Sequence, residues 1–298
     1  MSKSLAERAR RRLRRRVLEP LDARLLGPLR RRRNAHREFR PVFVTGAMGS
    51  GTTLLALSLG QRYEFGCVIA ESAHQVARDS FLFHPGVDAF GSVRAYAESI
   101  RPREEWSVER GRADLLRMYR SHASGTSPFA VDKGPNTNLV RAGFLARCFP
   151  DGRFVVVFRD PAANVEGFRR KWATFAHDSL DEGVRFYAEI HERFLEESAA
   201  FPERTLWVEY EQLVSDYDVL LEALARRLGL RSAARARPLP RRANVPGQGI
   251  RNVLRGRIGV VPDANARARD RLGTDELSRI RDALGSLHAR MRERAMRA

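Results

Sequence analysis

Cysteine is scarce. The 298 residues hold two, Cys67 and Cys148, far apart and in no metal-ligand spacing. This leaves reduced, buried thiols of a cytosolic protein as the expected state. No clustered His, Asp or Glu set offers a metal site. No apolar run approaches the roughly 20 residues a membrane helix needs. The N-terminus has no apolar leader segment, so export is not expected. Internal repeats are absent too. Hydrophobic residues make up 43% of the chain, enough for a real core in one large α/β domain or two small ones.

Acidic residues are also in deficit, and unevenly so. Of the formal net charge of +18, residues 1–40 carry +11, from 15 Arg or Lys against 4 Asp or Glu. The segment "AERARRRLRRRVLEPLDARLLGPLRRRR" (Ala6 to Arg33) is basic with interspersed Leu and Val, and Pro20 and Gly27-Pro28 interrupt any helix. Three readings of this arm stand: an amphipathic segment on anionic lipid, a non-specific contact to nucleic acid or another polyanion, and a solvated arm without a partner. Nucleic acid is the least favoured of the three. The chain thus divides into a basic arm, 1–40, partly helical or disordered, and an α/β domain, 41–298, ending in a helix.

From Pro41 the pattern is ordered. Strands are predicted at "PVFVTG", "GCVIAE", "PFAVDKG", "RFVVVFRD" and "TLWVEY". The uninterrupted Val/Phe run of the fourth suits a parallel strand covered on both faces. Helices are predicted at "TTLLALSL", "ADLLRMYRSH", "NLVRAGFLARCF", "AANVEGFRRKWATF", "LDEGVRFYAEIHERFLEES", "YDVLLEALARRLGL" and a terminal "TDELSRIRDALGSLHARMRERAMRA", with Thr274 as its N-cap. The alternation implies α/β architecture: a doubly wound parallel sheet flanked by helices. Ligands of such sheets bind outside the carboxyl ends of the strands. That edge is where "TGAMGSGTT", "AES", "DKGPN", "RDP" and "YEQL" fall.

"VFVTGAMGSGTTLL" (Val42 to Leu55) has the form of a phosphate-binding loop. Gly46 to Gly51 followed by Thr52-Thr53 fits G-x-x-x-x-G-K-[ST], except that Thr52 replaces the lysine. Glycines let the backbone turn its N–H groups around an anion, and the helix after them adds its positive end. A triphosphate loop uses lysine and Mg²⁺, so a loop without lysine suits a less charged group.

At this point the sequence resembles the PAPS-dependent sulfotransferases, the Golgi-type and bacterial members in particular. "GSGTTLL" matches the second half of the family's P-[RK]-S-G-T-[TS] loop. "DKGPNTNLVRAGFLARCFPDGRFVVVFRDP" looks like its middle segment, and "VEYEQLVSD" is similar to its Tyr-Glu-x-Leu segment. The resemblance covers roughly residues 41–230 and implies a P-loop NTPase-like sulfotransferase fold. It also implies transfer of a sulfuryl group from 3′-phosphoadenosine 5′-phosphosulfate (PAPS) to a hydroxyl or amine, without a metal. By resemblance, Gly46, Gly49, Ser50, Gly51, Thr52 and Thr53 cradle the 5′-phosphosulfate and Lys133 faces the leaving-group oxygens. Arg159 grips the 3′-phosphate, Tyr210 lies against the adenosine, and Arg257, with Arg251 and Arg255, supplies a basic loop over the nucleotide. Glu71 stands where the tyrosyl-protein members place a catalytic glutamate, and His74 is the alternative general base. Asp160 and Pro161 are expected to cap and open the next helix.

Two positions depart from the family pattern. Gly49 replaces a basic loop residue, a donor typically worth on the order of 2.7–4 kcal/mol in the transition state. Gly167 replaces a serine that also meets the 3′-phosphate, worth about 1 kcal/mol. Arg169, Arg170, Lys171 and Lys133 are the charges available to compensate. An active enzyme is favoured over a nucleotide-binding protein without turnover, and over a P-loop kinase, which would lack both its lysine and a Mg²⁺-binding acid. Residues 72–128, with His84 and Trp106, are expected to shape the acceptor site. The arginine and alanine content fits a GC-rich bacterial source, which favours a glycan or small metabolite as acceptor. The expected location is cytoplasmic, with peripheral contact at the inner membrane face through the arm. Nothing in the sequence sets the oligomeric state.

Overall fold

The computed structural model describes residues 28–176, 179–233 and 264–296. Most of the basic arm, and the stretch containing Arg251, Arg255 and Arg257, lie outside the described residues. Residues 28–33 are helical, and Arg37 then donates to Gly125 O (2.7 Å) and Ser127 O (2.8 Å), tying the chain to the start of the sheet.

In chain order the elements are β1 (Arg40–Thr45), α1 (Thr52–Arg62), β2 (Cys67–Ala70), α2 (Val93–Ile100), α3 (Val108–His122) and β3 (Phe129–Lys133). There follow α4 (Thr137–Val140), α5 (Ala142–Cys148), β4 (Arg153–Phe158), α6 (Pro161–Lys171), α7 (Ala173–Ala176) and α8 (Leu180–Ser198). The chain continues with β5 (Thr205–Glu209), α9 (Tyr210–Ser215), α10 (Tyr217–Leu228), α11 (Ala264–Arg269) and α12 (Thr274–Glu293). The sheet is parallel throughout, in the order β2-β3-β1-β4-β5.

Strand alternation divides the apolar runs between two cores. Val42, Val44, Val155 and Val157 face α1 and α10 with Leu55, Leu59, Leu220 and Leu224. Phe43, Phe154, Val156 and Phe158 face the other layer with Tyr119, Phe194 and Leu284. Both faces are covered, which is why these strands read as continuous hydrophobic runs. Full burial of each such side chain contributes about 1.5–3 kcal/mol. The expected doubly wound sheet is therefore present.

Three local expectations change. The helix predicted over "NLVRAGFLARCF" breaks between α4 and α5 at Arg141, a buried residue. Its guanidinium donates to Ile100 O (3.0 Å) and Leu82 O (2.9 Å) and covers the Trp106 ring at 5.0 Å. Tertiary partners here override helix continuity. The helix predicted over "AANVEGFRRKWATF" ends at Lys171, because Trp172 is extended (φ −125°, ψ 126°). Thr274 is the first residue of α12 rather than its cap. Gly273 holds that place, its N–H bonded to Glu276 Oε2 at 3.1 Å.

Candidate active site

Parallel register sets which side chains meet. Ala70 pairs with Lys133 across β2 and β3, and Val44 pairs with Lys133 across β3 and β1. Thr45 lies opposite Val156 on β4, and Phe158 opposite Glu209 on β5. The residues just past these pairs are Glu71, the Gly46 loop, Arg159 and Tyr210. The sheet therefore brings them to one carboxyl edge.

The loop needs its glycines. Gly46, Gly49 and Gly51 have φ of +147°, +89° and +106°. A β-carbon on Gly46 would lie 2.0 Å from Val157 O, and one on Gly51 would lie 2.5 Å from the Tyr210 ring. Such contacts and angles admit only glycine. Ser50 is fully buried, and its hydroxyl has no partner. α1 begins at Thr52 with no side chain capping it. The loop is pinned from β3 by Asn136, itself at φ +54°. Its N–H donates to Gly46 O (2.9 Å), and its Oδ1 accepts from Met48 N (3.0 Å).

On the β3 side, Lys133 is buried and its ammonium is ion-paired with Glu71. Glu71 keeps 27% of its side-chain surface exposed and sits in the left-handed region at φ +58°. A non-glycine residue there costs on the order of 1–3 kcal/mol, and such outliers cluster at functional sites. The other candidate base is differently engaged: His74 Nδ1 bonds to His84 O at 2.6 Å. His84 is buried and lies against Ser99 Oγ at 2.9 Å. Its pKa is pulled down to about 4, first by burial and then by Arg141 and His74.

On the β4 side, Arg159 bridges three elements. Its Nε donates to Asn265 Oδ1 on α11 (2.6 Å) and its NH1 to Gly49 O (3.2 Å). Its guanidinium lies over the Tyr210 ring at 4.7 Å. Asp160 caps α6 by accepting from Ala163 N at 2.8 Å, with Pro161 in the first turn, as the sequence predicts. Glu211 Oε1 accepts from Asp160 N at 3.1 Å and from Asn265.

Two further residues of this site escape sequence reasoning. Asn265 is 106 positions from Arg159, with no motif around it. Asn164 is buried on α6 and donates to Met48 O at 2.8 Å, and its Oδ1 has no partner. A lone Asn in the apolar face of "AANVEGF" is the signal that could have found it.

The charges on α6 separate. Arg169 pairs with Glu276 (2.9 Å) and Arg170 with Glu166 (2.8 Å). Lys171 closes the helix beside the loop, 5.7 Å from the Trp172 ring centre. Its side chain keeps contact with solvent, yet the protein packed around the ammonium lowers its pKa. Repulsion from Arg170 and Arg159 adds to that shift. Both cysteines are free and buried, and burial pushes the Cys148 thiol up to about 12. Among the described residues no group of three or more His, Cys, Asp or Glu is placed to hold a metal ion. No described helix is long and apolar enough to cross a membrane.

Several solved structures are similar in fold. Sulfotransferase STF1 of Mycobacterium tuberculosis H37Rv has a TM-score of 0.47 at 17% identity, covering 72% of this chain and 75% of its own. The sulfotransferase domain of the curacin biosynthetic pathway has a TM-score of 0.48 at 16% identity, with coverages of 84% and 98%. Sulfotransferase STF9 of Mycobacterium avium has a TM-score of 0.49 at 14% identity, with coverages of 89% and 81%. No curated protein gives a significant sequence match. The model of the family described as "Sulfotransferase family" matches residues 41–234, almost two thirds of the chain and every strand but the first residue of β1. The chain therefore belongs to the sulfotransferase family.

Proposed function

We propose that this sulfotransferase takes its sulfuryl group from PAPS and delivers it to a hydroxyl or amine, with the donor lying along the carboxyl edge of the sheet. The observation that carries the reading is the buried Ser50 hydroxyl, unpartnered inside a loop of three positive-φ glycines. A buried donor without an acceptor is costly, about 1–3 kcal/mol, and an anion in the loop would satisfy it. The residues present fit PAPS in this respect, and the chemistry of Arg159 supports the same reading.

PAPS supplies an activated sulfate, whose bond to the phosphate oxygen breaks as the acceptor attacks. The chain's own residues hold, orient and move a proton. The backbone of Gly46–Gly51 offers N–H groups to a non-bridging anion, and Ser50, Thr52 and Thr53 offer hydroxyls. Arg159 is a planar fork suited to a terminal phosphate, backed by the Tyr210 face that would also border the adenosine. Lys133 has three donors, and its pairing with Glu71 does not exhaust them. It is thus able to meet charge growing on a leaving oxygen. Glu71, a partly exposed carboxylate at that spot, takes the acceptor's proton. Arg257 is proposed only as a donor from a late basic loop.

The buried free thiols support a reducing, cytoplasmic setting. The composition of residues 1–40 supports a basic arm able to touch an anionic membrane, joined to the α/β domain through Arg37. The Arg and Ala content supports a bacterial source.

The test is acceptor-free turnover. Wild-type protein is expected to release sulfate slowly from PAPS, with water as acceptor, and Lys133→Ala to lose that release by about 100-fold or more. Sulfate release that survives Lys133→Ala unchanged would remove Lys133 from the chemistry.

A further inference from the structure

Gly49 leaves the loop without a basic side chain, and its own backbone forbids one: at φ +89° an L residue is strained. The space over it is filled from elsewhere. A β-carbon built on Gly49 would lie 3.5 Å from Asn164 Nδ2 and 3.6 Å from Lys171 Nζ. One turn before Lys171 on α6, a β-carbon on Gly167 would lie 4.0 Å from the same ammonium. Two positions without side chains thus open onto one lysine.

The neighbouring cations are engaged. Lys133 is held by Glu71, Arg169 by Glu276, Arg170 by Glu166, and Arg159 by Asn265 and Gly49 O. Among the described residues Lys171 has no carboxylate in an ion pair. Its charged neighbours Arg170 and Arg159 repel it, and of the charges around it Glu166 alone attracts it, as the smallest of these influences. A cation kept beside two other cations, without a counter-ion, at the mouth of a glycine loop, is placed for an anion that the protein does not supply.

We propose that Lys171 binds the 5′-phosphosulfate group seated in the Gly46–Thr53 loop, reaching it from α6 across Gly49, so that the donor's charge is met by a helix lysine instead of a loop residue. This rests on the reading of that loop as the donor's seat. It links Gly49 and Gly167: the first lets the ammonium approach the loop, and a β-carbon at the second would just touch that same ammonium. Arg169 and Arg170, adjacent in sequence, do not share the role because their carboxylate partners hold them away.

Calorimetric titration with adenosine 3′,5′-bisphosphate and with adenosine 3′-phosphate tests the proposal, because the two differ only in the 5′-phosphate. Wild-type protein is expected to gain affinity from the 5′-phosphate. Lys171→Met should lose about 10- to 100-fold of that gain, the range of one hydrogen bond to a charged group. Lys171→Arg should keep most of it, and affinity for the 3′-monophosphate should not change in either variant. A Lys171→Met protein that keeps the full gain overturns the role of Lys171 alone. Equal loss on both nucleotides also overturns it, by showing a structural effect. A wild-type protein with no gain from the 5′-phosphate overturns the loop reading, and the Lys171 role with it.

Discussion

The two sides of β1 hold their charges differently. Toward β3, the cation is Lys133, buried and closed against Glu71 on the adjoining strand end. Both residues sit within one position of a strand terminus, and β-sheet register alone brings them together. Toward β4, Arg159 is shared among the loop backbone, Asn265 and Tyr210, and Lys171 stands open to solvent without a carboxylate. That side is assembled from the end of β4, α6, α9 and α11. The first side is compact and charge-balanced, and it holds the carboxylate proposed above as the base. The second carries uncompensated positive charge and suits a polyanionic nucleotide. In the function proposed above, chemistry and binding fall on opposite sides of a single strand.

The separation is broken most severely by variants at Glu71. Glu71→Gln keeps the size of the side chain but removes the base. It is expected to lower turnover of PAPS to water by about 10²- to 10⁴-fold while leaving affinity for adenosine 3′,5′-bisphosphate within about threefold of wild type. Steady-state kinetics and calorimetry on the same preparation check both halves. A binding loss as large as the rate loss would show that the two sides do not divide the work.

Arg159→Ala should do the reverse. Preference for adenosine 3′,5′-bisphosphate over adenosine 5′-phosphate is expected to fall by about 10- to 100-fold, measured by competition. An unchanged preference would move the 3′-phosphate contact elsewhere.

Gly51→Ala sharpens the geometry between the sides. It places a β-carbon 2.5 Å from the Tyr210 ring at φ +106°, and should cost about 1–3 kcal/mol of stability. Tyr210→Ala added to it should recover only part, since the backbone strain remains. Thermal unfolding of the two variants reads this, and full recovery would place the whole cost in the ring contact.

A further effect, away from the site, is on pH dependence. His191 is fully buried on α8, bonded through Nδ1 to Tyr187 O at 2.8 Å, with no partner at Nε2. Burial pulls its pKa down to about 4, against about 6.5 in an unfolded chain. The unfolded chain therefore takes up a proton as pH falls below about 6.5, and the folded protein does not until about 4. The neutral ring's contribution is present in full above pH 6.5 and is lost across that window, at up to about 1.4 kcal/mol per pH unit. His191→Phe is expected to flatten the fall in melting temperature between pH 7 and pH 4.5. An equally steep fall would assign the acid sensitivity to other groups, His84 among them.

Much of this arrangement is legible in the sequence, and the reason is local. The five strands show as apolar runs, and Lys133, Arg159 and Glu71 stand at their ends, where parallel register gathers them. The glycine loop shows because only glycine adopts its angles. What is not legible depends on chain segments distant in sequence. Asn265 meets Arg159 only because α11 packs on α6. Arg141 breaks a helix because Leu82 O and Ile100 O accept from it. The sequence puts Arg169, Arg170 and Lys171 on equal footing. Only the positions of Glu276 and Glu166 separate the third from the other two.

The proposed function makes the carboxyl edge a seat for a 3′-phosphorylated adenosine donor. It is tested most directly by the melting temperature of the wild-type protein in matched concentrations of adenosine 3′,5′-bisphosphate, AMP and ATP. A distinctly larger rise with the bisphosphate is expected, and equal rises with all three would rule the seat out.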